Sequence, residues 1–284
     1  KRRKDKYENI FTDPFHGELL GALESSIREQ GYYMMIYISE DIEEIVRNIV
    51  GWNTEGLILI GMLHDDYLKI RSKYKKPAVL IDSYTPKNIA RYVNIGLDDE
   101  EGGYLMTKYL LDCGHRKIAF LADNMEGVDY IRYTGHQRAL QEYGLDIDLD
   151  NLIVIRPSKY ERQGNMEEIY AVAHKFTAFM CCSDYYAVTL MKYLKAKGIR
   201  FPEDLSITGF DDNLYAQLAC PSLTTIHQDI FQRGTIAAEY LFKMIDGWNP
   251  KTTNLSLPVR LVVRDSVKIL NPPEDDSSDD SSAL

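Results

Sequence analysis

The chain has 284 residues, 45% of them hydrophobic and 27% charged, with a formal net charge of -10. That length allows one large or two modest domains with real cores. The acidity, with no basic face or stripe, disfavours nucleic-acid binding by this chain alone, and no apolar run approaches a membrane span, so no membrane partner is expected.

No signal-peptide pattern opens the sequence. The cysteines, Cys113, Cys181, Cys182 and Cys220, show no CxxC spacing. The adjacent pair lies in an apolar run and is a poor disulfide candidate. A reduced, cytoplasmic protein without a metal site is the expectation.

In chain order, the basic stretch Lys1 to Lys6 reads as a frayed end. Tyr7 to Phe11 is a weak strand. Asp13-Pro14 opens a helix with Leu19, Leu23 and Ile27 at helical spacing, closed by Gly31. Tyr33 to Ile38 reads as a strand, and Ile42 to Val50 as a helix with one apolar stripe. Leu57 to Ile60 is a buried strand, a charged helix follows from about Asp65, and the strand Ala78 to Ile81 ends in Asp82. The alternation then repeats. Helices are predicted near Glu101 to Cys113, Tyr130 to Tyr143, Asn165 to Ala173 and around Val188 to Leu194. Between them lie strands at Lys117 to Leu121, Ile153 to Ile155 and Ala178 to Cys181.

Gly198 to Asp212 compresses a helix stop, a turn, a buried strand and two carboxylates. Gly198 suits a helix C-cap, and Pro202 forbids helix beyond it. Leu205 to Phe210 is a strand covered on both faces, ending in Asp211-Asp212. Ligands of open α/β sheets sit outside the carboxyl ends of strands. Both acids are therefore ligand candidates, with solvated turn residues as the alternative. A helix follows over Ile230 to Ile245, then a last strand, Leu255 to Val263, interrupted by Pro258. Residues 271–284, rich in Pro, Asp and Ser, read as a disordered acidic tail.

Strands alternating with helices mean parallel sheets with helices on both faces. There are too many units for one sheet, so two α/β halves with a cleft between them are expected. No dinucleotide fingerprint, Walker loop, zinc-protease or serine-hydrolase motif is present, and no catalytic residue is assigned. Arg132 falls near a predicted helix start, where a cation opposes the dipole. Its fork of donors suits vicinal hydroxyls or a carboxylate, with a surface salt bridge as the alternative.

Several segments resemble the LacI/GalR family of bacterial transcriptional regulators. LLDCGHRKIAFL from Leu110 resembles its "hLxxxGHrrIaf", and RYTGHQRAL from Arg132 its "RxxGfxxAl". Ser183-Asp184 with Ala187 is similar to "NDxxA", Gly198 to Asp212 to "GixvPeDlsvvGfDd", and PSLTTIHQ from Pro221 to "PpLTTvxQ". The resemblance spans roughly Asp13 to Leu270.

It implies an α/β fold of two doubly wound parallel-sheet subdomains joined by three hinge crossings, as in periplasmic binding proteins. The crossings would lie near Ile95-Asp98, Ile226-Asp229 and Ser256-Val259. The first subdomain would span 7–97, completed by 229–257, and the second 98–228, completed by 258–270. The ligand residues it implies are Arg132 and Asp211, with Asp82 from the first half, Gln228 beside the hinge, Ser183 and Asp184 after a strand, and Phe15 and His16 in the first loop. The implied protein is a homodimeric core that senses a sugar or sugar phosphate, without a cofactor. It would reach operator DNA only through an N-terminal helix-turn-helix absent from this sequence. The competing classes are a solute-binding protein of a sugar transporter and an enzyme on the same scaffold.

Overall fold

The computed structural model of the chain describes residues 13–39, 41–83, 92–156, 159–251 and 253–270. The expected strand Tyr7 to Phe11, the basic stretch before it and the tail 271–284 lie outside them.

α1 (Pro14–Glu29) begins where Asp13 accepts a hydrogen bond from the backbone N–H of Phe15 at 3.1 Å. Pro14 enters the first turn, where no N–H is needed. Leu19, Ala22, Leu23 and Ile27 form the buried face, and Gly31, at φ 78°, ends the helix.

The first sheet contains β1 (Leu57–Ile60), β2 (Ala78–Ile81), β3 (Val93–Leu97) and β9 (Thr253–Leu257), all parallel, in the order β1-β2-β3-β9. Helices α2 (Ile42–Gly51) and α3 (His64–Lys73) cover one face, packing Ile49, Tyr67 and Ile70 on Leu59 and Leu80. On the other face, α1 and α9 (Ile230–Ile245) bring Leu19, Leu23 and Leu241 against Val79, Ile81 and Ile95.

The second sheet contains β4 (Ile118–Ala122), β5 (Leu152–Val154), β6 (Ala178–Cys181) and β7 (Ser206–Thr208), again all parallel, in the order β5-β4-β6-β7. Every residue of β2, β4 and β6 is buried, as continuous apolar runs require when helices lie on both sides. α4 (Asp99–Asp112) and α5 (Gly127–Glu142) pack Met106, Leu110 and Ala139 on one face. α6 (Lys159–Ala173) and α7 (Asp184–Ala196) pack Ile169, Leu190 and Leu194 on the other.

Three expectations change. Tyr33 to Ile38 pairs with no described strand, and Tyr33 is 98% exposed. Aromatic and branched side chains favour extended backbone, but a strand also needs a neighbour, and the described first sheet ends at β1. The single last strand is in fact two. β9 stays in the first sheet, while β10 (Arg260–Val262) pairs antiparallel with β8 (Thr225–His227). Pro258, which has no N–H to give a ladder, lies between them. A short helix, α8 (Leu214–Leu218), was not expected; Asn213 caps it by accepting from the N–H of Tyr215 at 2.8 Å.

β8 and β10 form a two-stranded sheet of their own, and the chain leaves or re-enters the first sheet three times: at Asp98 between β3 and α4, at Gln228-Asp229 between β8 and α9, and at Pro258-Val259. Two crossings are tied together. The N–H of Asp98 donates to the carbonyl of Leu257 at 2.9 Å, and Ser256 Oγ donates to Asp98 Oδ1 at 3.0 Å.

α4 and α5 cross unusually closely. A Cβ on Gly103 would sit 2.0 Å from the carbonyl oxygen of Arg132, and one on Gly135 would sit 1.9 Å from that of Glu100. This contact seats Arg132 over α4. Backbone cannot yield as a flexible side chain can, so overpacking there costs about 1–3 kcal/mol or more. Gly135→Ala should lower the denaturation midpoint accordingly, whereas Gly17→Ala, with nothing within 4 Å of the added methyl, should not. Chemical denaturation of the two variants checks this.

Candidate ligand cleft between the sheets

The carboxyl ends of the strands supply the polar groups. β2 delivers Asp82, β6 delivers Ser183 and Asp184, β7 delivers Asp211, and β8 delivers Gln228. Asp82 and Asp211 both have positive φ, 55° and 126°, conformations that non-glycine residues rarely adopt. The backbone is strained where the two acids turn out of their strands, a pattern that recurs at functional sites.

Arg132 lies in the second turn of α5, not at its start, so the helix-dipole reasoning does not apply. Its guanidinium is almost fully buried. Nε donates to Asp99 Oδ1 at 2.8 Å and Nη1 to the carbonyl of Cys182 at 2.5 Å. The plane lies 3.5 Å from the ring centre of Phe210, a cation–π stack. Among the described residues Nη2 makes no hydrogen bond. Burial works against the charge, but Asp99, Asp211 and Asp129 outweigh it and hold the group protonated.

Asp211 is buried. Its Oδ1 accepts from Gln228 Nε2 at 2.6 Å, and its N–H donates to the carbonyl of Ile226 at 2.8 Å. Burial and the nearby charge of Asp184 push its carboxyl well above the usual range; Arg132 opposes them, and Asp13 adds to them. At the start of α1, beside Asp13, Phe15 and His16 meet edge to face at 5.1 Å and His16 Nδ1 lies 2.9 Å from Asp13 Oδ2. Glu18, one turn on, is raised by burial and by Asp229, a charge beside the second crossing.

The remaining expected residues are placed differently. Ser183 caps α7, accepting from the N–H of Tyr186 at 3.3 Å. Asp184 faces inward: Oδ2 accepts from the N–H of Asn213 at 3.0 Å and Oδ1 from Thr225 Oγ1 at 2.6 Å. It latches β8 and α8 to α7 and presents no free oxygen. Asp82 is ion-paired with Arg233, which also donates through Nη1 to Gln228 Oε1 at 3.0 Å.

Arg233 and Asp99 were not singled out from the sequence. Arg233 did carry a signal. It lies three residues after Ile230 and four before Ala237, on the apolar face of α9, where a charge needs a buried partner. Asp99 carried none, because nothing local shows that the first turn of α4 is buried.

Asp129 is a further buried acid, at the start of α5. Its Oδ2 accepts from the N–H of Asp123 at 3.2 Å, and Tyr186 donates to Asp123 Oδ2 at 2.9 Å. Burial, then the charge of Asp123, raises the Asp129 carboxyl to about 7. Among the described residues no group of His, Cys, Asp and Glu could hold a metal ion, and no helix is long and apolar enough to cross a membrane.

Two helix-covered parallel sheets, three crossings and a buried polar seam between strand ends define a ligand-binding core of the periplasmic-binding-protein type. Residues 107–267 match the family model described as a periplasmic binding protein-like domain. The chain is 30% identical over 275 residues to the HTH-type transcriptional repressor PurR of Vibrio atlanticus, covering 92% of this chain and 79% of that protein. It is 29% identical over 288 residues to the arabinose metabolism transcriptional repressor of Geobacillus stearothermophilus, covering 90% and 74%. The solved complex of the transcriptional regulator CelR with cellobiose superposes with a TM-score of 0.82 at 25% identity, covering 91% and 81%. The chain belongs to the LacI/GalR family of transcriptional regulators and forms its effector-sensing core.

Asp129 has a consequence for stability. A carboxyl raised on folding favours the folded state fully below its unfolded value, near 4, and loses that contribution as pH climbs through the folded value. Asp129→Asn, which keeps an acceptor for the Asp123 N–H, should match the native protein near pH 4. By pH 8 it should exceed it by on the order of 1–3 kcal/mol. Urea denaturation at both pH values is the measurement, and equal stabilities at pH 8 would show that burial of Asp129 carries no cost.

Proposed function

We propose that this core binds a neutral sugar between Arg132 and Asp211 and that binding closes the two lobes in a homodimeric, cytoplasmic regulator. Operator recognition is assigned to a helix-turn-helix head outside this sequence. The lobes are taken to divide at the three crossings, with residues 7–97 and 229–257 against 98–228 and 258–270. Phe15 and His16 would contact the ligand from the first lobe, while Ser183 and Asp184 would shape the scaffold beneath it.

One observation carries the ligand class. Both arginines of the seam already hold an acid: Arg132 holds Asp99, and Arg233 holds Asp82. Asp211, Asp129 and Asp13 remain around them. Among the described residues, a phosphate placed here would meet these carboxylates, and both seam arginines are already paired with an acid. A polyol can donate to those carboxylates and accept from Arg132 Nη2. The cellobiose-bound regulator and the arabinose repressor among the relatives support a sugar. Relatives that are repressors favour a regulator over a transport protein or an enzyme.

A thermal-shift screen of pentoses, hexoses and disaccharides, each beside its phosphate ester, tests the reading. A neutral sugar should stabilise the protein by about 2.7 kcal/mol at a hundredfold excess over its Kd, and no ester should do better. Asp211→Asn should cost about 2–5 kcal/mol of binding while circular dichroism stays unchanged. Stabilisation by an ester alone would sink the proposal. Sedimentation should show a dimer at tens of micromolar, an order-of-magnitude choice for modest affinity, and a monomer would remove the dimer from it.

A further inference from the structure

Four side chains form one continuous chain of hydrogen bonds from the first sheet to the second. Asp82, at the end of β2, accepts from Arg233 Nη2. Arg233 Nη1 donates to Gln228 Oε1 at 3.0 Å, and Gln228 Nε2 donates to Asp211 Oδ1 at 2.6 Å. A guanidinium only donates, so it fixes which end of the Gln228 amide faces it. The Gln228 oxygen must point to Arg233, and its NH2 must therefore point to Asp211. Without that constraint the amide could turn over and set an oxygen against the carboxylate.

We propose that Arg233 is a positioning residue that ties the first lobe to Asp211 in the second, by holding Gln228 in its donating orientation. The inference rests on the reading of Asp211 as a ligand residue. Arg233 is itself fully buried, and its Nε has no partner among the described residues. The guanidinium is thus gripped only at its two Nη atoms, one of them held by Asp82 and, at 3.4 Å, by the carbonyl of Ile95. Loosening Asp82 loosens the hold on Gln228. A ligand that draws Asp82 or Asp211 toward itself pulls on the same chain, so the two lobes respond together.

The experiment needs no ligand. Asp211 faces Arg132 from α5, Asp184 from α7, Asp13 ahead of α1 and Gln228 from the second crossing. Of these, Gln228 is the one hydrogen-bonded into the chain that reaches Asp82 through Arg233. Carbon-13 NMR of the Asp211 side-chain carboxyl in the full chain, identified by its absence in Asp211→Asn, reports its titration. Arg233→Met should raise the proton affinity of Asp211 roughly tenfold, because the amide donor and the cation behind it are both lost. Arg233→Lys, which retains the charge and a donor, should recover part of the native value. Asp82→Asn should move the Asp211 titration in the native background and leave it unmoved beside Arg233→Met. Equal shifts in both backgrounds would mean plain through-space repulsion between the two carboxylates and would overturn the proposal, as would an Arg233→Met variant with native titration.

Should Arg233→Met fail to fold by stranding Asp82, Gln228→Leu breaks the chain one step later and leaves the ion pair intact. Asp82→Asn should then have no effect on Asp211 in that background, and a native-sized effect would again overturn the relay. A negative result here leaves sugar binding standing, and an empty sugar screen leaves this coupling measurable.

Discussion

A guanidinium taken out of water must find acceptors inside the protein, and this fold buries two of them between its sheets. Burying a charge without a partner costs several kcal/mol, so each arginine fixes the position of whatever satisfies it. Arg132 draws on Asp99 at the start of α4, on the carbonyl after β6 and on the ring of Phe210 after β7. One helix and two strand ends of the second half thus converge on one side chain. Arg233 draws on Asp82 from the first sheet and Gln228 from a crossing. The first arginine organises one lobe, and the second spans the boundary.

Around these two cations the carboxylates outnumber their partners. Asp184, Asp129 and Asp211 are each pushed upward, chiefly by burial. Such a cluster opposes folding at neutral pH, and a protein evolved for stability alone would have little reason to keep it. In the sugar-binding reading proposed above, Asp211 and Asp129 would serve as acceptors for a donor-rich guest. Asp184 is the exception: both of its oxygens are consumed in fastening Asn213 and Thr225.

Ligand control then needs only a difference in affinity between two lobe arrangements. The crossings are short, and two of them are hydrogen-bonded to each other through Asp98, Ser256 and Leu257. In the reading proposed above, lobe closure would turn about these crossings as a hinge. The polar chain from Asp82 to Asp211 passes through Gln228, which lies at the second crossing.

Much of the fold was legible in the sequence because its signals are local. Apolar runs such as Ala78 to Ile81 and Ala178 to Cys181 can be satisfied only between two helical layers, and Gly31, Gly114 and Gly198 stop helices through backbone freedom that other residues lack. Arg132, Asp211 and Gln228 were legible through motif resemblance, and the acids also through their place at strand ends. What the sequence could not show depends on contacts distant along the chain. Tyr33 to Ile38 has the composition of a strand, but only the sheet decides whether a neighbour exists. Leu255 to Val263 reads as one strand, yet its halves belong to different sheets because their partners, β3 and β8, lie far apart in sequence. Asp184 and Asp82 are candidate ligand groups by position. Only tertiary structure, by bringing Asn213 and Thr225 to one and Arg233 to the other, decides that both oxygens of Asp184 and Oδ1 of Asp82 already hold a partner.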